Sequence, residues 1–548
     1  MAVRPVLVLL ACLLFVPQGA LADSLRVLVL TGDDTPDEQN TFNFQISVRP
    51  GLYGEHVIFA SPYTGIANDS GIFRGNPAGQ RFTVAQTGDT APSGKSIIDL
   101  DTLGLLPSVN SLGQLAYPAI LVSGPSFPNG LFRGNESERT KVFEDGDAAP
   151  GNGDLSLRSN NELAAVINDA GDVAFSASLL NTTGGSDDDE AIYYWDGTPD
   201  TFTQIARKGN AAPDGDGTLS GTRTSGVFAQ PVLNEAGEVG FHALIEDSSN
   251  SSSFTDAGIF RSDGSLPIRI ARVSEPAPGG GVFYGFSGLS MNEAGSVAFG
   301  GNLGFGSIQG IYRGNGTTLT KIAKSGESIP GGGETYSFFA GSVDLNDTGA
   351  VAFATSFDIF QGTEGLVVSD GTNSFLTARF GTSATPGDGI FKGPGRFALN
   401  NASQLAFTTA LEVGGNAEEG LFLFDPANGL TRIARTGDAL KGSTITDLDF
   451  NGISGQIEGD ILSLPDQADG LNDAGQVVFA FELADDRRGI AIWDSTSTAF
   501  ATESRLRLAV SSPCKTGAPS STCRCRSTCS RKATSTRTPC PRCRRPKT

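Results

Sequence analysis

One short pattern recurs along this chain: Asn, two variable residues, Gly, one further residue, then an apolar, a small and an aromatic residue. It stands as Asn292-Glu-Ala-Gly295-Ser-Val-Ala-Phe299. It returns as Asn110 with Gly113, Ala116 and Tyr117; Asn168 with Gly171, Ala174 and Phe175; and Asn234 with Gly237, Gly240 and Phe241. Further copies are Asn346 with Gly349, Ala352 and Phe353; Asn400 with Ser403, Ala406 and Phe407; and Asn472 with Gly475, Val478 and Phe479. An eighth copy is worn: Val57-Ile58-Phe59 keeps the strand, but Leu52 replaces Asn and Gly54 comes one place early. Asn at the first position of a type I turn bonds its own backbone and Gly closes the turn at positive φ, so each copy predicts a hairpin.

The region around Asn292 predicts four strands: Phe283 to Ser290, Ser296 to Gly300, Gly310 to Arg313 and Leu319 to Ala323. The third of these recurs as Gly71-Ile-Phe-Arg74, Gly130-Leu-Phe-Arg133, Ala191-Ile-Tyr-Tyr194 and Gly258-Ile-Phe-Arg261. Successive motif Asn residues lie 54 to 72 positions apart, and four strands at that period make one propeller blade. Composition agrees, since 35 Phe against two Trp and two Met, with 71 Gly and 28 Pro, suit short strands and tight turns. The predicted fold class is therefore all-β, a single β-propeller of eight four-stranded blades over residues 23–494.

Closure is predicted from the two ends. Leu28 to Thr31, followed by Gly32-Asp33 and Pro36, is a fourth-strand element with no blade before it, while the blade of Asn472 and Gly489 to Trp493 shows no fourth strand of its own. Sharing one blade between the ends removes the open edge. The rival places Phe500 to Val510 as the missing strand.

Residues 1–22 have the three parts of a secretory signal: Arg4, an apolar run from Val6 to Val16, and Ala20-Leu21-Ala22. No later stretch reaches the roughly 20 apolar residues of a membrane helix. The expectation is a secreted or cell-surface protein, a monomer with no membrane span in the mature chain. Six of seven cysteines fall between Cys514 and Cys543, so disulfides do not hold the repeats together. From Arg505 onward there are twelve Lys or Arg and no Asp or Glu; the remainder holds 27 basic (39 minus 12) against 60 acidic residues, about −33. Such a surface repels nucleic acid. The tail, 495–548, reads as disordered, as out of frame, or as a zinc module built on Cys523, Cys525, Cys529, Cys540 and Cys543.

The motif copies, Asn168-Asp-Ala-Gly171-Asp-Val-Ala174-Phe175 and Asn346-Asp-Thr-Gly349-Ala-Val-Ala352-Phe353 most plainly, resemble the NxxGxxAF tandem-repeat family of exported bacterial proteins. The resemblance covers residues 24 to 494 and implies a secreted or surface-anchored protein of unestablished activity.

Candidate chemistry is sparse. His56 and His242 sit in strand positions opposite the Phe face and read as ordinary strand residues. Asp33, Asp89, Asp147 and Asp438 follow fourth strands, either as turn caps or as carboxylates facing a common channel mouth, where hard oxygen ligands suit Ca²⁺. Asp187, Asp188, Asp189 and Glu190 form the densest acidic run and the best calcium candidate, although they lack the spacing of an EF-hand loop. Tyr193, Tyr194 and Trp195 beside them are candidates to stack on a sugar ring. Asn181 to Glu190, Glu246 to Asp256 and Leu440 to Gly470 read as insertions that mark a binding face. Three functions remain: a non-catalytic scaffold for an extracellular glycan or protein, a propeller enzyme acting on polysaccharide through paired carboxylates, and a structural envelope component. No residue is assigned a catalytic role.

Overall fold

The structure is a computed structural model of the chain. It describes residues 25–44, 50–63, 70–100, 107–124, 126–157, 165–220, 231–246, 248–249, 256–304, 309–329, 334–358, 363–384, 387–454 and 469–494. The chain divides into two units, Met1–Phe500 and Ala501–Thr548. The expected signal segment and the tail lie outside the described residues.

Eight antiparallel sheets follow one another, each a blade of a β-propeller. Blade 5 is the plainest: Gly285–Met291 innermost, then Val297–Asn302, Gln309–Gly314 and Leu319–Lys324. The predicted hairpin turn is present, with Gly295 N donating to Asn292 O at 2.9 Å and Gly295 at φ +66°. In the eighth blade the outer strand is Leu25–Leu30, paired with Arg488–Asp494 so that Leu25 faces Trp493 and Leu30 faces Gly489. The amino-terminal strand thus closes the ring, and Phe500 to Val510 is not needed for it.

Leu440 to Gly470 is not simply an insertion. Ser443–Asp449 is the inner strand of blade 8, paired with Gln476–Leu483, and it buries Ile445 and Leu448. Its polar spacers, Thr444, Thr446 and Asp447, break the apolar run and hide it from a hydrophobicity reading.

Alternation along each second strand explains the Val-Ala-Phe triplet. Val297 and Phe299 point into the cluster shared with blade 4, beside Ile259 and Ile270, whereas Ala298 points into the cluster shared with blade 6, beside Phe339 and Phe353. Most interfaces in this way set a large ring from one blade against a small residue from the other, as with Phe175 and Ala116, Phe241 and Ala174, Phe407 and Ala352, and Phe479 and Ala406. The last interface sets Val29, Val478 and Ile490 of blade 8 against Leu52, Phe59 and Phe73 of blade 1.

The motif Asn also joins blades. Its Oδ1 accepts from its own turn, as in Ala350 N to Asn346 Oδ1 at 2.8 Å. Its Nδ2 donates to the next motif's carbonyl: Asn110 to Asn168 O at 2.9 Å, Asn292 to Asn346 O at 3.1 Å, Asn346 to Asn400 O at 3.0 Å, and Asn400 to Asn472 O at 3.0 Å. Asn472 completes the run across the closure by donating to Gly54 O at 2.6 Å. Asn346→Asp keeps the acceptor and removes this donor, leaving the Asn400 carbonyl with only Ser403 N of its own turn, so it should destabilise the protein by about 0.5–1.5 kcal/mol, the usual worth of one hydrogen bond. Chemical denaturation checks this, and an Asp variant as stable as the parent would confine Asn346 to its turn.

A second link explains the motif Gly. Arg313 donates to Gly349 O, and a Cβ at Gly349, already at φ +85°, would collide with that guanidinium. Arg133 does the same to Gly171 O at 2.7 Å. Blade 6 carries Val368 where blades 1, 2, 4 and 5 carry Arg and blade 3 carries Tyr194, and there blade 7 has Ser403 in place of Gly, still at φ +58°.

Candidate functional site

The residue after each motif Asn reaches backward while the Asn reaches forward. Asp169 Oδ1 accepts from Ser111 N at 2.6 Å, Glu235 Oε2 from Asp169 N at 2.7 Å, and Glu293 Oε2 from Glu235 N at 2.8 Å. Asp347 Oδ1 then accepts from Glu293 N at 2.9 Å, Asn401 Oδ1 from Asp347 N at 2.8 Å, and Asp473 Oδ1 from Asn401 N at 2.8 Å. From blade 2 to blade 8 the turns are thus clasped backward at every step, and the second positions Ser111, Glu235, Glu293, Asp347, Asn401 and Asp473 line a cavity of about 610 Å³.

That lining includes Glu55, Glu235, Glu293, Asp344, Asp347, Asp469 and Asp473, and no Lys, Arg or His among the described residues. Burial, joined at Glu235 and Glu293 by the neighbouring carboxylates, raises several of these groups. Burial, reinforced by Asp169 and Glu293, pushes the Glu235 carboxyl up to about 7. Burial also raises Glu293, with Asp347 and Asp169 adding to it, and lifts Asp344 to about 6. The Tyr53 phenol is raised by burial and then by Asp169, Glu235, Glu293 and Asp473, which places it in the field of the same ring.

These shifts set a pH dependence. A carboxyl whose folded value lies above its ordinary 4.5 holds its proton in the folded state after the unfolded chain has lost it. Folded stability therefore falls as pH rises from about 4.5 through 7. The melting temperature should rise as pH is lowered from 8 toward 5.5, and Glu235→Gln should flatten that rise. A melting curve indifferent to Glu235→Gln across this window would contradict the assignment.

The sequence candidates lie elsewhere. Asp33, Asp89, Asp147 and Asp438 cap the turns after outer strands: their carboxylates accept from Leu30, Gln86, Glu144 and Arg435 N, and pair with Arg81, Arg139, Lys141 and Arg432. They do not line the cavity. In the run Asp187 to Glu190, Asp188 pairs with Arg207 at 3.2 Å, Asp189 pairs with Lys208 at 3.1 Å, and Glu190 is buried at the start of a strand. Asp187 ends a single 3₁₀ turn, Gly185–Asp187. Among the described residues no group of three His, Cys, Asp or Glu is arranged to hold a metal ion.

Tyr193 and Trp195 are fully buried, and the Tyr194 hydroxyl donates to Asp172 at 2.5 Å. Tyr193 and Trp195 are the blade's own core and closed to a sugar ring, whereas Tyr194 is half-buried beside Asp172. His56 and His242 do lie in strands, His56–Pro62 and Val239–Glu246. His242 Nε2 is buried without a partner, and burial lowers this imidazole to about 4. The acid ring was missed, although one signal was present: the second motif position is Asp or Glu at Asp169, Glu235, Glu293, Asp347 and Asp473.

Solved structures with a similar course include the β-propeller domain of the Trilobed protease from Pyrococcus furiosus (10% identity, TM-score 0.37, 72% of this chain and 97% of that one). Puromycin hydrolase (11%, 0.37, 83% and 61%) and the Pyrococcus horikoshii acylaminoacyl peptidase (11%, 0.37, 80% and 57%) are similar at the same level. A search of the curated proteins finds no match. Residues 18–371 and 362–497 match the model of a family of unknown function (DUF7453), and the chain belongs to that family.

Proposed function

We propose that this propeller is a non-catalytic binding scaffold, working at the cell exterior as an exported repeat protein of the NxxGxxAF type. Its partner, an extracellular protein or glycan, presents an ammonium or guanidinium group to the acid-lined channel mouth. One observation carries the reading: Asn401 performs the backward clasp with a neutral amide, so the carboxylates at the other clasping positions exceed what the clasp requires. Their burial, and after it their mutual repulsion, raises Glu235 and Glu293 and works against folding of the charged forms. A cationic partner would relieve that repulsion on binding, and the field would steer it inward.

The test is calorimetric titration with oligolysine, with a chitosan oligomer and with its fully N-acetylated counterpart. The two cationic probes should bind at pH 7.5 and weaken as salt rises. Glu235→Gln with Glu293→Gln, which keeps both acceptors, should lower their affinity by tenfold or more. Equal binding of the acetylated sugar would sink the proposal.

A propeller enzyme is the second reading, supported by the Glu235 carboxyl near 7, which is the protonation state of a general acid. Release of reducing ends from polysaccharide by the parent protein, abolished in Glu235→Gln, would establish it in place of the scaffold.

A further inference from the structure

The forward run of Asn bonds has no Asn to start from in blade 1, where Leu52 occupies that position. His56 supplies the link instead: its Nε2 lies 2.9 Å from Ser111 O in the motif turn of blade 2. Its Nδ1 lies 2.8 Å from Arg74 Nη1. A carbonyl can only accept and a guanidinium can only donate, so Nε2 carries the proton and Nδ1 presents its lone pair. This geometry admits one tautomer and excludes the imidazolium.

We propose that His56 is a proton-operated latch between blades 1 and 2, closed when the imidazole is neutral and released when it is protonated. Protonation sets an N–H of a cation against the N–H of Arg74, so the Nδ1 contact is lost and the two cations repel one another. Arg74 has little room to retreat. Its Nε donates to Glu136 Oε2 at 3.2 Å, its Nη2 is held by Glu136 Oε1, and its guanidinium covers the Phe82 ring at 4.7 Å. The guanidinium is held on its other side, so the repulsion moves the imidazolium ring away from it, and the bond from Nε2 to Ser111 O opens with that movement.

The charged groups facing His56 are Arg74 of its own blade, Glu55 of its own hairpin and Glu136 of blade 2. Burial comes first in holding the imidazole below its ordinary value and Arg74 second, while the bond to the Ser111 carbonyl and then the two carboxylates oppose them. Because Glu55 and Ser111 both line the central cavity, the latch stands on its rim. Acid would loosen the rim at this junction while the Asn bonds of the other blades, which do not titrate, stay closed.

Hydrogen exchange over residues 107–117, expressed as protection factors so that the intrinsic pH effect cancels, tests the latch. Lowering pH from 7.5 to 5 should reduce protection there by up to about tenfold, the effect of one lost hydrogen bond. His56→Gln retains a donor for Ser111 O and an acceptor for Arg74 without a titrating charge, and it should abolish the change. Arg74→Met should move the midpoint upward by removing the facing cation. The same pH response in the parent and in His56→Gln would overturn the proposal.

The parent protein supplies a check that needs no variant. With only two histidines in the chain, nitrogen NMR can assign the His56 tautomer. The Nε2–H form at pH 7.5 is expected, and an imidazolium or the Nδ1–H form would overturn the latch.

Discussion

Removal of Leu25–Leu30 is expected to abolish the single cooperative unfolding transition of this protein. The strand fills the outer edge of blade 8, where Val29 is fully buried and Leu25, Val27 and Leu30 pack against Phe481 and Trp493. Burial of an aliphatic side chain is worth about 1.5–3 kcal/mol, so the apolar side chains of one such strand together rival the roughly 5–15 kcal/mol that a whole domain retains. The loss falls where sequence neighbours cannot compensate. Thr31 Oγ1 donates to Arg488 O at 3.0 Å across 457 residues, and the strand acts with the Asn472 bond to Gly54 O and the core around Phe59 in tying the two ends of the repeat into a ring. Urea denaturation should show an early, broad transition for the truncated chain, and size-exclusion chromatography should show association through the exposed edge. A synthetic peptide of residues 25–31 added in trans should restore part of the lost midpoint. An unchanged midpoint without it would show that closure contributes nothing to stability.

Breaking the Arg272 network should have the next largest effect. The Arg272 side chain, 3% exposed, donates from Nε and Nη2 to Asp256, which is fully buried; it also contacts Asp214 and donates to Asp216 O at 2.7 Å. Burial pushes the Asp214 carboxyl up, but hydrogen bonds from Arg272 and Arg269 outweigh it and hold it below the usual range. Arg272→Met leaves Asp256 charged in a site closed to water and should cost about 3–5 kcal/mol. The double variant with Asp256→Leu should regain most of that, because a buried ion pair and well-packed apolar residues of similar volume are close in free energy. Denaturation of the two single variants and the double variant gives the coupling directly. Additive losses would show that the two side chains do not act as a pair.

The acidic run at Asp187 to Glu190 shows why the candidate site was hard to read in advance. In sequence its carboxylates stand side by side, which suggests a cation site. In space Arg207 and Lys208, nearly twenty residues on, return along the neighbouring strand and neutralise Asp188 and Asp189. The motif carboxylates without such partners, Asp169, Glu235, Glu293, Asp347 and Asp473, stand at least 54 residues apart and no more than one to a blade, so no local window shows them together. Tyr193 and Trp195 mislead for a related reason. Alternation says that they share one face of a strand, but whether that face meets solvent or the next blade depends on where the next blade lies.

Sequence by itself determined the hairpins, their four-strand period, the number of blades and the strand that closes the ring. Each of these follows from turn chemistry and side-chain alternation, which act over a few residues and were therefore written where they are used. Tertiary structure alone decided that the motif Asn reaches the next blade, that its neighbour reaches back, and that the neighbours' charges meet around one cavity. Those outcomes belong to interfaces between sheets, and an interface exists only once distant segments have been brought to a common axis.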